Sequence, residues 1–207
     1  PGSVKRAART MTAAKLESAV FLDRDGTLIR EVGYLRRPDQ VELLDGVPAA
    51  IRALHDGGFK TVVVTNQSAV ARGWLTEAGL NQIHRFLQDK LAEQGAMLDA
   101  IYYCPHHPSE GINGYRLACD CRKPNPGMVY RAANDLALEL KRSYVVGDQN
   151  VDRELAVRVG ATSVLVWSNG EQELVDTVSH APVFANLKLA AEWILARRQA
   201  AIEDIDP

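Results

Sequence analysis

Two rhythms of apolar residues alternate along this chain. The first is the short unbroken run: Val20-Phe21-Leu22, then 59–64, 98–103, 143–146 and 163–167. Runs of that length, rich in β-branched residues and closed by glycine or small polar residues, are strands buried on both faces. The second is helical spacing. Val47, Ile51 and Leu54 recur on one face, as do Leu80, Ile83, Leu87 and Leu91, each marking an amphipathic helix. Further helices are predicted over 127–138, 151–159 and 187–201, the last with Leu187, Ala191, Ile194 and Leu195 inward. Pro48 sits in a first turn, Gly57-Gly58 and Gly160 end helices, and Thr76-Glu77 opens one, all in the positions those residues favour. Strand–helix alternation predicts an α/β domain: a doubly wound parallel sheet with right-handed crossovers. Segment 29–41 reads as a polar loop, a further loop holds Arg72-Gly73-Trp74, and 104–126 is a long irregular segment. There is no internal repeat and no large cap between strands one and two or two and three, so selectivity must rest on short loops.

Polar chemistry collects where the strands end. The first run closes in Asp23-Arg24-Asp25-Gly26-Thr27, the second in Thr65-Asn66-Gln67-Ser68, the fourth in Gly147-Asp148. In open α/β sheets ligands bind outside the carboxyl ends of the strands. Two carboxylates held close repel unless one is protonated or a cation lies between them, and hard oxygen donors suit Mg²⁺. Asp23, Asp25 and Asp148 therefore read as the acidic oxygens for one ion. Thr65, Asn66 and Ser68 offer donors to a phosphate. Lys123 supplies a cation to balance the phosphate and a nucleophile. A carboxylate can attack phosphorus and a second can protonate the departing alkoxide. Singly, each feature has an ordinary explanation: a surface turn, a helix cap, a solvated lysine. Together, at strand ends and in this order, they describe a phosphoryl-transfer site.

Composition narrows the class. The chain has 207 residues, 46% hydrophobic and 24% charged, with a formal net charge of −2. That suits one globular domain of ordinary size and gives no electrostatic footprint for nucleic acid. No apolar run reaches the length of a membrane span. Residues 1–17, with Lys5, Arg6, Arg9 and Lys15, read as a loose basic extension without a signal-peptide core, and 18–207 as the domain. The expectation is a cytoplasmic monomer with no membrane or nucleic-acid partner.

All three cysteines fall between 104 and 121. Cys104-x-His106 and Cys119-x-Cys121 offer four ligands in two pairs, a Cys₃His set for tetrahedral zinc with no open position, hence structural. The loop at about 104–125 has little apolar content, so metal would supply its order and fix Arg122 and Lys123 just after the last ligand. His107 competes with His106 as the fourth ligand.

Phe21-Leu22-Asp23-Arg24-Asp25-Gly26-Thr27, Val64-Thr65-Asn66-Gln67-Ser68, Arg122-Lys123-Pro124 and Gly147-Asp148 resemble, in order and spacing over about 19–167, the four motifs of the haloacid dehalogenase superfamily of phosphatases. Ala71-Arg72-Gly73 and the two cysteine motifs add a resemblance to its heptose 1,7-bisphosphate 7-phosphatases. That resemblance implies a Rossmann-like haloacid dehalogenase fold and an Mg²⁺-dependent phosphatase acting on a small phosphorylated sugar, in nucleotide-activated heptose synthesis for lipopolysaccharide or surface polysaccharide. It implies Asp23 as nucleophile through an aspartyl-phosphate, and Asp25 as general acid/base. Mg²⁺ falls to Asp23, the Asp25 carbonyl and Asp148. Thr65 and Lys123 hold the transferring phosphoryl group. Glu31, Val32, Gly33, Tyr34, Thr65, Asn66, Gln67, Ser68, Arg122 and Lys123 contact substrate. The family's Cys-x-His pattern selects His106. One departure stands out: Gln149 occupies a position where the family often has lysine. Asp152, at helical spacing from Asp148, reads equally as support for the metal or as a helix first-turn acid. His55 and His84 read as surface or boundary residues, and Trp74 as cover for the core's edge. The nearest rival is a histidinol-phosphate phosphatase or another small phosphate-ester phosphatase; a remote one is a non-catalytic zinc module, which leaves Asp23, Asp25 and Asp148 unexplained.

Overall fold

The structure is a computed structural model that describes residues 16–112, 114–167 and 181–203. Its centre is a six-stranded sheet in the order β3-β2-β1-β4-β5-β6. The strands are β1 (Ser18–Leu22), β2 (Phe59–Asn66), β3 (Ala100–Cys104), β4 (Tyr144–Gly147), β5 (Thr162–Val166) and β6 (Val183–Phe184), and every pairing is parallel. The chain moves outward one way from β1 to β3 and the other way from β4 to β6. The crevice at that reversal, outside the ends of β1 and β4, is where a doubly wound sheet receives ligands.

Alternating residues of β1 feed two cores, as the two-residue period of a strand requires. Val20 and Leu22 pack with Ile51, Leu54, Ile83, Leu87 and Ile194 from α1 (Val47–Asp56), α3 (Glu77–Ala92) and α6 (Leu187–Glu203). Ala19 and Phe21 pack on the other face with Met128, Val129, Leu155 and Ala156 from α4 (Gly127–Leu136) and α5 (Asn150–Val159). Thr76 caps α3 through its hydroxyl, which accepts from the Gly79 N–H at 3.1 Å.

Several expectations change. The sheet has a sixth strand: β6 is only two residues long, too short to leave a pattern. Residues 68–71, where no helix is predicted, form the short helix α2 (Ser68–Ala71). His84 is not a boundary residue but 5% exposed, on the apolar stripe of α3 with Leu80, Ile83 and Leu87. The segment expected as a loose extension lies outside the described residues except for 16 and 17. Glu17 is tied down: its N–H donates to the Ala137 carbonyl and its own carbonyl accepts from Glu139. Among the described residues no helix is long and apolar enough to cross a membrane.

Candidate active site

β1 delivers Asp23 to the crevice, and one backbone bond extends the sheet to it: its N–H donates to the Val146 carbonyl at 2.9 Å. The chain then turns at once. Gly26 adopts φ +76°, and a Cβ there would stand 2.2 Å from an Asp148 carboxylate oxygen. Glycine is needed both for the left-handed conformation and to let the loop after β1 approach Asp148.

Lys123, 3% exposed, points its ammonium between two carboxylates, at 2.7 Å from Asp23 Oδ1 and 2.7 Å from Asp152 Oδ1. Burial alone pulls an ammonium pKa down, but Asp152 and Asp23 more than offset it and hold Lys123 above its ordinary value. Asn66 fixes the backbone below: Lys123 N–H donates to Asn66 Oδ1 at 3.0 Å, and Asn66 Nδ2 donates to the Lys123 carbonyl at 3.2 Å. The Asn66 side chain thus positions Lys123 while standing on the wall of the cavity described below.

Asp23, Asp148 and Asp152 bring carboxylate oxygens within 4.8 Å of one another. Burial pushes Asp23 up to about 6, with Asp152 and Asp25 adding to the rise against the pull of Lys123. Burial also pushes Asp148 up to about 7, helped by Asp23 and Asp152. Carboxylates held this close and this dry need a compensating cation. Asp148 Oδ1 is buried with no hydrogen-bond partner, as an oxygen reserved for a metal would be. Asp152 differs: besides Lys123 on Oδ1, its Oδ2 accepts the Gln149 N–H at 3.2 Å, so both oxygens are committed. Asp23 and Asp148 therefore fit a hard cation, and Asp152 anchors Lys123 and the start of α5.

Asp25 lies beyond Asp23 with its side chain 19% exposed. Arg24 forks onto both its oxygens at 2.8–3.2 Å. Gln67 Nε2 donates to Asp25 Oδ2 and to Thr65 Oγ1, each at 2.8 Å. A cavity of about 300 Å³ opens over these groups. Its lining contains Asp23, Asp25, Glu31, Gly33, Tyr34, Thr65, Asn66, Gln67, Ser68, Arg122, Lys123 and Gln149. Of the expected contacts only Val32 is absent; its side chain is exposed on the outer face of the loop. Burial, then the Asp25 charge, raises the Glu31 pKa. Trp74 does not cover the core. It stands exposed beside the mouth, edge-on to Tyr34 with ring centres 4.6 Å apart, with Arg36 and Arg72 over its ring. Arg72 also pairs with Glu110.

The cysteine motifs meet at the end of β3. The sulfurs of Cys104, Cys119 and Cys121 lie 3.2–3.5 Å apart, and His106 Nδ1 lies 3.3 Å from Cys121 Sγ and 3.7 Å from Cys104 Sγ. The edge of a tetrahedral zinc–thiolate site is about 3.8 Å, so this knot of donors is close enough to hold one metal ion. His107 turns the other way, its Nδ1 accepting from Glu110 N–H at 3.0 Å. The knot is wired to the site: Arg122 Nη1 donates to the His106 carbonyl at 2.9 Å, and Tyr115 from this loop and Tyr103 from β3 both donate to Glu77 at the start of α3.

Known proteins share this arrangement. A family model described as HAD-hydrolase-like matches residues 120–190. The D-glycero-beta-D-manno-heptose-1,7-bisphosphate 7-phosphatase of Escherichia coli K12 is 40% identical over 182 residues, 88% of this chain and 90% of that protein. The chain belongs to the haloacid dehalogenase superfamily of phosphatases. The phosphatase is also similar to the crystal structure of D,D-heptose 1,7-bisphosphate phosphatase from B. bronchiseptica complexed with magnesium and phosphate, with a TM-score of 0.73 and 32% identity over 87% of this chain and 99% of that one. A HAD-like phosphatase from Mesorhizobium loti gives a TM-score of 0.77 at 31% identity, covering 87% and 85%.

Three groups of this phosphatase have roles that the sequence does not show. Arg24 carries no local signal, yet it is 1% exposed. Asp152, weighed between metal support and a first-turn acid, pairs with Lys123, which no local spacing reveals. His84 carried a usable signal: it falls four residues after Leu80, on the buried stripe of α3.

Proposed function

We propose that this phosphatase removes the 7-phosphate of a D-glycero-D-manno-heptose 1,7-bisphosphate. The observation that carries the reading is the Asp23–Lys123 pair in a cavity lined also by Glu31, Gly33, Tyr34 and Arg122, with the Asp148 carboxylate beside Asp23. The likeness to heptose bisphosphate phosphatases over nearly the whole chain supports the substrate. The cavity's lining is mostly polar, with carboxylate, amide and guanidinium groups, which suits a hydroxylated, doubly phosphorylated ligand. The reading places the enzyme in synthesis of nucleotide-activated heptose for surface polysaccharide, as a cytoplasmic monomer; thiols such as these stay reduced in the cytoplasm.

In this reading Asp23 attacks phosphorus. A bond forms between its carboxylate oxygen and phosphorus while the bond from phosphorus to the sugar oxygen breaks. Asp25, protonated, gives its proton to that departing oxygen. It then takes a proton from water, whose oxygen bonds to phosphorus as the Asp23–phosphorus bond breaks, releasing phosphate and restoring both carboxyl groups. Lys123 and the Thr65 hydroxyl stabilise the transferring oxygens. Asp23, Asp148 and the Asp25 carbonyl would hold Mg²⁺, which supplies positive charge to phosphate oxygens and to the crowded carboxylates. Magnesium in the B. bronchiseptica relative supports that identity. Cys104, His106, Cys119 and Cys121 would hold structural zinc, for which their soft donor set is suited.

The test is Asp23→Asn with purified substrate and Mg²⁺. The variant is expected to release no phosphate above background while keeping its fold by circular dichroism. Turnover at the wild-type rate would remove Asp23 as the nucleophile.

A further inference from the structure

We propose that Arg24 is a positioning residue for Asp25, itself held by His84 and Gln67, and that this buried assembly aims the proton-transferring carboxylate at the leaving oxygen. The inference rests on the reading of Asp25 as acid and base given above.

Arg24 points into the protein and is 1% exposed. A guanidinium cannot be left unpaired at that depth, since it carries five donors and never loses its charge. Its donors are spent in a pattern. Nε and Nη2 fork onto the two Asp25 oxygens. Nη2 also donates to Gln67 Oε1 at 2.9 Å. Nη1 lies 3.3 Å from His84 Nε2. A guanidinium only donates, so that ring nitrogen must accept, which leaves the His84 proton on Nδ1 and the ring uncharged. Burial, then the neighbouring guanidinium, pushes the His84 pKa down to about 3, in accord with the geometry. His84 thus supplies an acceptor without adding a second cation, and the Tyr103 ring, centred 5.6 Å away, backs it.

Gln67 closes the arrangement. It accepts from Arg24 and donates both to Asp25 and to Thr65, so the carboxylate is placed relative to the residue read as the phosphate anchor. Asp25 sits in a tight turn just past a strand end, where a short side chain unheld would sample several rotamers. Proton transfer needs it within hydrogen-bond reach of one oxygen, and a misplacement of about 1 Å can cost on the order of a hundredfold. A buried, forked guanidinium fixed at its far end supplies that constraint.

Leaving-group dependence separates this role from a merely structural one. A sugar alkoxide must be protonated as it leaves; p-nitrophenolate need not be. Loss of the carboxylate or of its aim should therefore slow the heptose bisphosphate far more than p-nitrophenyl phosphate, whereas general loosening would slow both alike. The variants are Arg24→Lys, which keeps charge but loses the fork, His84→Leu, which removes only the far acceptor, and Asp25→Asn as reference. Values of kcat/KM, which report the steps up to leaving-group release and so exclude the hydrolysis of the aspartyl-phosphate that both substrates share, are compared, with melting temperature and circular dichroism in parallel. Asp25→Asn is expected to show the largest skew between the two substrates. Arg24→Lys should lower the ratio of kcat/KM for the sugar ester to that for the aryl ester about tenfold and His84→Leu by a smaller factor in the same direction. In the Asp25→Asn background Arg24→Lys should add no further skew. If Arg24→Lys does not fold, His84→Leu carries the test. Equal losses on both substrates in folded variants, beside a skewed Asp25→Asn, would overturn the positioning role alone. An unskewed Asp25→Asn would overturn the acid role of Asp25 and the inference with it.

Discussion

Replacing Asp152 by asparagine changes almost no volume and removes one charge from the most buried ion pair among the described residues. In the native site Asp152 accepts twice, from Lys123 Nζ at 2.7 Å and from the Gln149 N–H at 3.2 Å. An amide in the same space has one acceptor oxygen, so one buried donor loses its partner. That costs about 1–3 kcal/mol. Stripping a buried ammonium of all its counter-charge costs about 3–5 kcal/mol, but Asp23 remains at 2.7 Å, so only part of that penalty applies. A net loss of about 2–4 kcal/mol follows. In a domain of this size each kcal/mol moves Tm by about 2–4 °C, so a fall of roughly 4–16 °C is expected. Lys123 also loses one of two anchors, and a displaced ammonium no longer meets the transferring phosphoryl oxygens. Turnover should fall by about a hundredfold or more. Thermal denaturation and steady-state phosphate release on the same preparation read both effects. A variant with wild-type Tm and turnover would refute the account of Lys123 as an ion held between two carboxylates.

Other outcomes follow from the same geometry. Gly26→Ala puts a Cβ against the Asp148 carboxylate at a residue with φ +76°; the backbone alone costs about 1–2 kcal/mol, and Mg²⁺ affinity measured by calorimetry should drop with it. In metal-free protein, burial raises Asp23 from an ordinary 3.8 to about 6 and Asp148 to about 7. Folded protein then holds protons that unfolded protein has released, so their contribution to stability is present near pH 4 and lost as pH rises through about 7. Added Mg²⁺ should restore Tm at pH 7.5, release protons on binding, and bind more weakly at pH 6 than at pH 8; binding independent of pH over that range would contradict the placement of the ion. Cys119→Ser should lower zinc content from one equivalent and expose 104–126 to limited proteolysis, with turnover falling because Lys123 is anchored to the same segment; unchanged zinc by elemental analysis would remove Cys119 from the ligand set.

What the sequence disclosed was what local pattern can encode. Five strands announced themselves as apolar runs, and Asp23, Asp148 and Thr65 could be placed because each closes such a run. The two cysteine motifs offered candidate ligands by spacing and the resemblance selected His106 over His107; in the fold the two rings turn apart, His106 toward the cysteines and His107 away. Roles set by distant partners were not legible. Arg24 sits in a turn among charged residues with nothing local to mark it, and its acceptors Gln67 and His84 arrive from the residue after β2 and from α3. Asn66 looks like a phosphate donor until Lys123 takes up its amide from 57 residues away. Asp152 reads equally as metal support or as a first-turn acid, and neither shows the cation that comes from 29 residues earlier. Trp74 looks like core by its size, yet arginines and Tyr34 cover it outside.

The most direct measurement is phosphate release from the α and β anomers of D-glycero-D-manno-heptose 1,7-bisphosphate, with and without Mg²⁺, beside histidinol phosphate. Strong Mg²⁺-dependent release from a heptose anomer, and little from histidinol phosphate, is the predicted result. Failure on both anomers with turnover of histidinol phosphate would contradict the substrate while leaving the phosphoryl-transfer site in place, and would direct attention first to Gln149 in the cavity wall.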